Sequence, residues 1–256
     1  MIAKSVTYHA VPGIPLIAPG DDLAALIVDS LNSAQFPLKS GDIVVIAQKI
    51  VSKAEDRYVA LEDVVPSDKA QVLSRQTGKD ARYIEVVLSE SAEVVRHRPN
   101  VMVVEHRLGF VMANAGIDQS NIEHGDGEER VLLLPRDPDD AAAKLKAGFD
   151  AAFDAEIGVV INDSFGRPWR KGVVGVALGA AGLPSLLNMI GEPDMFGRKM
   201  RMTEIAVADE IAAGASLLMG QAAEGLPVVV VRGLTFDAIP CPASALLRPR
   251  EQDMFR

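Results

Sequence analysis

Two hydrophobic rhythms alternate along this chain of 256 residues. The first is the short unbroken apolar run: Ile43-Val-Val-Ile-Ala47, Gly158-Val-Val-Ile161 and Pro227-Val-Val-Val-Val231. Runs of this length, rich in valine and isoleucine, predict strands buried on both faces. The strands are expected over 43–47, 157–163 and 227–231, the second ending in Asp163. The other rhythm repeats every three or four residues and predicts helices. These fall at 22–33, capped by Asp21 or Asp22, at 66–76, opened by Pro66-Ser67 and stopped by Thr77-Gly78, and at 80–91, 137–153 and 203–219. Thr203 is the expected cap of the last. A meander runs through 101–105 and 110–114, turning at His106-Arg-Leu-Gly109.

Loops occupy 12–23 and 115–130, and the Gly125-Asp-Gly-Glu-Glu129 portion is expected to be mobile. A short strand at 131–134 ends at Pro135. Residues 173–183 follow or contain Gly172, Gly175, Gly179 and Gly182, a spacing that reads as a closely packed helix or a tight strand-turn-helix. The polar tail from Leu247 is expected to dock elsewhere on the molecule. Together these elements predict a mixed α/β (α+β) fold. No linker rich in Pro, Gly or Ser divides the chain, so its subdomains are expected to be interwoven.

Composition narrows the function classes. The chain is 48% hydrophobic and 24% charged, with net charge −9 and a pI near 5.0. That acidity argues against nucleic acid or an anionic membrane as partner. Cys241 is the only cysteine, which excludes an intrachain disulfide and a cysteine-based zinc cluster. With no signal-peptide core and no membrane-length apolar run, the expected location is cytoplasmic.

Several chemistries have no motif here. Gly78-Lys79 is followed by Asp80, not by Ser or Thr, so no phosphate loop is present, and no G-x-G-x-x-G follows a strand. His9, His97, His106 and His124 lack metal-ligand spacing, and there is no G-x-S-x-G elbow. What recurs is an apolar strand ending in oxygen ligands. Phe110-Val-Met-Ala-Asn-Ala-Gly-Ile-Asp118-Gln-Ser-Asn121 has it, and so does Gly158-Val-Val-Ile-Asn-Asp163-Ser164. Carboxylates so placed are costly unless paired or bound to a cation. Oxygen-only donors favour Mg²⁺ or Mn²⁺ over zinc, and such a site suits phosphoryl transfer from a nucleotide. Gln48, Lys49 and Lys53 follow another strand and offer donors to phosphates. Arg167, Arg170 and Lys171 form a basic cluster around the lone tryptophan, Trp169, suited to a phosphate or carboxylate.

These residues carry a resemblance. The chain resembles the coenzyme F420-0:L-glutamate ligase family through Gly41-Asp-Ile-Val-Val-Ile-Ala-Gln-Lys-Ile-Val-Ser-Lys-Ala-Glu55 and Gly109-Phe-Val-Met-Ala-Asn-Ala-Gly-Ile-Asp-Gln-Ser-Asn121. Val160-Ile-Asn-Asp-Ser-Phe-Gly-Arg-Pro-Trp-Arg170, Phe196-Gly-Arg198, Thr203-Glu-Ile-Ala-Val-Ala-Asp-Glu210 and Met219-Gly-Gln221 extend it in the family's order.

The resemblance implies one ligase region over 1–256, built from two interwoven subdomains in an intertwined homodimer, without the C-terminal reductase-like domain fused in some relatives. It implies GTP-dependent addition of γ-linked L-glutamate to the deazaflavin precursor coenzyme F420-0, through an acyl phosphate. The implied cofactors are two divalent cations, Mg²⁺ or Mn²⁺, and K⁺. Asp118 and Asp163 would hold one divalent cation, and Ser164 and Gln221 the other. Pro15, Leu16, Ile17, Gln48, Lys49, Lys53 and Asn121 would contact GTP. Asp163 and Lys53 would serve catalysis, and Arg167 and Arg170 are assigned to anion binding. Departures from the family pattern include Asp56 for glycine, Met112 for cysteine, Asn162 for threonine, and Asn188-Met-Ile190 for an acidic-and-arginine segment. Competing readings are a nucleotide-dependent ligase acting on another carboxylated metabolite, a metal-dependent phosphatase or nucleotidyltransferase, and a non-catalytic nucleotide binder.

Overall fold

The computed structural model describes residues 5–122 and 129–254. The stretch 125–128, expected to be mobile, lies outside them, as does His124. In chain order the elements are β1 (Thr7–Ala10), α1 (Leu23–Ser33), β2 (Ile43–Ala47), α2 (Gln48–Ala54), β3 (Tyr58–Ala60) and α3 (Asp68–Thr77). Then come α4 (Ala81–Ser89), β4 (Ser91–Arg98), β5 (Val101–His106), β6 (Val111–Ala113), β7 (Arg130–Leu132) and α5 (Pro138–Phe153). The chain closes with β8 (Gly158–Arg167), β9 (Arg170–Ala181), β10 (Leu187–Asn188), β11 (Glu204–Ile205), α6 (Val207–Met219) and β12 (Val228–Arg232).

A five-stranded sheet in the order β1-β12-β2-β8-β9 frames the molecule. The β2–β8 pair is parallel and the other pairs are antiparallel. Helices cover both faces, which is why the strands read as unbroken apolar runs. Val44, Ile46, Val159, Ile161, Val228 and Val230 pack with α1 and α5. Ile43, Val45, Val160, Val229 and Val231 pack with α6. Each such burial contributes roughly 1.5–3 kcal/mol. Between α2 and α5 the chain builds a smaller lobe. There β4-β5-β6, the β3–β7 pair, α3 and α4 enclose Leu61, Ile84, Val87, Met102 and Val104. Among the described residues no helix is long and apolar enough to cross a membrane.

Asp22 caps the first helix as expected. Asp22, Ser67 and Asp137 each accept a backbone N–H from the first turn of α1, α3 and α5, and Gly78 ends α3 in a left-handed conformation. Two readings are corrected. Residues 173–183 belong largely to strand β9, not to a helix. The glycines are there because helices press on both faces of that strand. A Cβ on Gly175 would strike Ala212 and Ser216 of α6, and one on Gly179 would strike Pro138 of α5. Thr203 is not the cap of the last helix, because Glu204 and Ile205 pair with β10 and α6 starts at Val207. As expected, the tail docks: Arg250 bridges Glu93 of β4 and Glu105 of β5.

As the edge of the sheet, β9 exposes unpaired backbone donors. Asp209 of α6 accepts the Ala177 N–H and Asp139 of α5 accepts the Ala180 N–H, both at 2.9 Å. Asp139 also accepts the N–H groups of Ala243 and Ser244.

Candidate active site

In open parallel α/β sheets ligands bind beyond the carboxyl ends of the strands, and the parallel β2–β8 pair offers one such end. Here β2 ends at Ala47, whose partner on β8 is Asn162. The chain turns at once into α2, placing Gln48 and Lys49 in its first turn. Strand β8 instead continues past that boundary, so Asp163 is its first residue without a β2 neighbour. A bulge between Ile161 and Asn162 on the β9 side sits directly beneath it, a common device for re-aiming side chains near sites.

Asp118 reaches the same place from the smaller lobe. Its N–H and C=O pair with Leu132 at 2.9 Å, an isolated bridge that extends β7. Its Oδ2 accepts from Gln48 Nε2 at 2.7 Å, and its Oδ1 lies 3.3 Å from Lys49 Nζ. Gln48 is itself oriented, because the Ser52 hydroxyl donates to its Oε1 at 2.9 Å. Lys49 also donates to the Ser120 carbonyl at 3.0 Å. Burial raises the Asp118 carboxyl above the ordinary range, while Lys49, Gln48 and more distantly Lys53 pull it down.

At Asp163 the compensation, from the Ser164 backbone and Lys49, is outweighed. Burial, and next the Asp118 charge, push its carboxyl up to about 7. The two carboxylates lie within electrostatic reach of each other, a repulsion that protonation or a bound cation would relieve. Among the described residues no three His, Cys, Asp or Glu side chains gather as a metal cluster. The residues expected to hold cations are the two carboxylates, the Ser164 hydroxyl and the Gln221 amide, and the last two are linked by a 2.9 Å hydrogen bond from Gln221 Nε2 to Ser164 Oγ. Side chains that offer oxygen ligands, without imidazole or thiolate, fit a hard divalent ion. Gln221 lies just beyond α6, and Asn121 reaches the same segment by donating to the Ala222 carbonyl at 2.9 Å.

The other predicted residues distribute unevenly. Gly20 N–H donates to the Ala54 carbonyl, tying the 12–22 loop to the end of α2. Within that loop Ile17 is buried in the core, Leu16 is 95% exposed, and Pro15 lines a separate cavity of about 400 Å³ with Asp29 and Ser33. Among the described residues this loop makes no hydrogen bond to Asp118 or Asp163. Arg167 and Arg170 flank the tight turn between β8 and β9, where Trp169 takes φ +58°. A bulky residue there is strained by roughly 1–3 kcal/mol.

Asn162 and Ser52 belong to the site without having been singled out as site residues. Asn162 is buried, donating to Ser216 Oγ at 3.0 Å and to the Met219 sulfur at 3.3 Å, which ties the start of the β8 extension to α6. Its Oδ1 is buried without a hydrogen-bond partner. Ser52 carried one legible signal, its i,i+4 spacing from Gln48.

Comparison with known proteins places this geometry in a family. The chain is 47% identical to the coenzyme F420:L-glutamate ligase of Methanothermobacter thermautotrophicus, covering 98% of this chain and 99% of that protein. The corresponding ligase of Methanosarcina acetivorans is 43% identical over 96% of this chain and 94% of its own length. That of Methanocaldococcus jannaschii is 41% identical over 87% and 88%. The family model for F420-0:gamma-glutamyl ligase matches residues 13–233. With identity at this level over nearly its full length, the chain belongs to the F420-0:gamma-glutamyl ligase family.

Proposed function

We propose that this chain is a GTP-dependent amide ligase that adds γ-linked L-glutamate to coenzyme F420-0, releasing GDP and phosphate. The observation that carries the reading is the convergence of Asp118 and Asp163 beside Lys49, at the carboxyl end of the parallel strand pair. Family membership supplies the acceptor and the amino acid.

A carboxylate is a poor acyl donor because its oxygen is a strongly basic leaving group. Transfer of the GTP γ-phosphate to the terminal carboxylate of F420-0 gives an acyl phosphate, and the α-amine of glutamate displaces phosphate from it. Asp118 and Asp163 would hold one divalent cation, Mg²⁺ or Mn²⁺, and Ser164 and Gln221 a second, with K⁺ as a monovalent companion. Cations held there would offset charge as one anion attacks another. Lys49, Lys53 and Gln48 orient the phosphates, and Asn121 and the Pro15-Leu16-Ile17 loop hold the nucleotide. Arg167 and Arg170 bind the acceptor's anionic groups, which fixes the attacking carboxylate in line. The reading extends to a cytoplasmic homodimer, and the net charge of −9 supports the absence of a nucleic-acid or anionic-membrane partner.

Mass spectrometry of F420-0 incubated with the protein, GTP, Mn²⁺ and glutamate is the direct test. Nucleotide-dependent increments of one glutamyl unit are expected. Phosphate release that needs neither glutamate nor acceptor would instead establish a phosphatase.

A further inference from the structure

We propose that the turn joining β8 to β9 is the docking platform for the acceptor. The Trp169 indole takes its planar heteroaromatic ring, and Arg167, Arg170 and Lys171 take the anionic groups that tie this ring to the reacting carboxyl. The inference rests on the ligase reading above and deepens it.

Backbone strain is the first support. Pro168 and Trp169 are the two residues of the turn, and Trp169 holds φ +58° where glycine fits without strain. Core packing does not account for the choice, since Trp169 is 83% exposed. A strained, exposed, bulky aromatic residue points to a ligand.

Charge and position agree with this. The chain is acidic overall, yet the turn gathers three cations in five residues, Arg167 to Lys171. Arg167 donates from its NH2 group to the Lys171 carbonyl at 3.3 Å, while its Nε is buried without a hydrogen-bond partner. Asp163 and Phe165 alternate along β8 and so share one face, and Arg167 follows at the turn, across a register shift. Arg167 lies four residues beyond Asp163, about 13 Å along an extended strand, a span suited to an extended linker between a carboxyl and a ring. The phosphate-facing groups Gln48 and Lys49 stand at the other end, beside β2. A ring with an anionic tail could also describe the nucleotide, but this arrangement leaves the turn to the acceptor.

Trp169 is the only tryptophan, so intrinsic indole fluorescence reports on this turn alone. Titration with F420-0, without GTP or glutamate, is expected to change it saturably, while GTP alone leaves it unchanged. Trp169→Gly is expected to keep or raise the thermal midpoint, because it relaxes the backbone. The same variant should raise KM for F420-0 at least tenfold with KM for GTP unaltered, and Trp169→Phe should recover most of that loss. Saturable change with GTP only, or an unaltered KM for F420-0 in Trp169→Gly, overturns the proposal. If Trp169→Gly does not fold, the wild-type titration and the Phe variant decide. Failure of the wild-type protein to glutamylate F420-0 sinks the ligase reading instead, and the titration still reports whether the ring binds.

Discussion

Glu90 is a buried carboxylate and Asp163 a half-buried one, and the chain treats them in opposite ways. Glu90, at the end of α4, faces Arg57 at 2.8 Å and Arg107 at 3.2 Å, with His106 Nε2 at 3.4 Å. Burial alone would raise its carboxyl, but the His106 ring and the two guanidiniums outweigh burial and hold it at about 2. At Asp163 burial, and next the Asp118 charge, outweigh the Ser164 backbone hydrogen bond and Lys49 and take its carboxyl to about 7. The first acid is neutralised by its own chain and fastens the smaller lobe. The second has been left short of positive charge, the condition of a group that awaits a cation from solution.

The largest expected effect separates activity from stability at these two positions. Asp163→Asn should lower turnover by about 10³-fold or more, since a cation ligand is worth several kcal/mol in the transition state. Its thermal midpoint without metal at pH 8 should hold or rise. A fully active Asp163→Asn enzyme would dissolve the contrast. Glu90→Gln should do the reverse, costing about 3–5 kcal/mol in urea unfolding because Arg57 loses its buried partner. The folded fraction of that variant should keep its rate.

Acidity gives the next effect, and the signs differ. The Glu90 carboxyl is depressed, so its contribution, about 3 kcal/mol for a shift from 4.5 to about 2, is present above the unfolded value and lost as pH falls towards 2. The Asp163 carboxyl is raised, so its contribution is present below the ordinary carboxylate value and lost as pH rises through about 7. Metal-free protein should therefore lose stability between about pH 4 and pH 7, and Asp163→Asn should flatten that limb. A limb that survives the substitution would assign the loss to another group. The smallest effect concerns orientation. Ser52→Ala frees the Gln48 amide and should raise KM for GTP by roughly threefold to tenfold, the worth of one hydrogen bond of about 1 kcal/mol.

Much of the frame was legible because burial on both faces leaves a plain signature. The runs at 43–47 and 228–231 are strands, and the expected cap Asp22 acts through its side-chain oxygen. Strand β9 was not legible, because glycines every three or four residues look helical until two helices are known to press on it. Strand β4 was hidden by register shifts between Ser91 and Glu93 and between Val94 and Arg96, which break the alternation of a regular strand. Helix α2 begins in the very next residue after β2, with no side-chain cap to announce it. Within the site, the oxygen-bearing residues 118 and 163 stood out as polar stops after apolar runs. The contribution of Asn162 did not, because only the pleat of β8 and the position of α6 bring Ser216 and Met219 to it.

The parallel pairing of β2 with β8 has a consequence for biosynthesis. Everything between Ala47 and Gly158 must be made before those strands can meet, and Gln221 emerges later still. A nascent or truncated chain thus lacks the grip on metal and nucleotide that the finished protein would have. Any stabilisation by those ligands through mass action would therefore favour completed molecules and leave fragments to proteolysis.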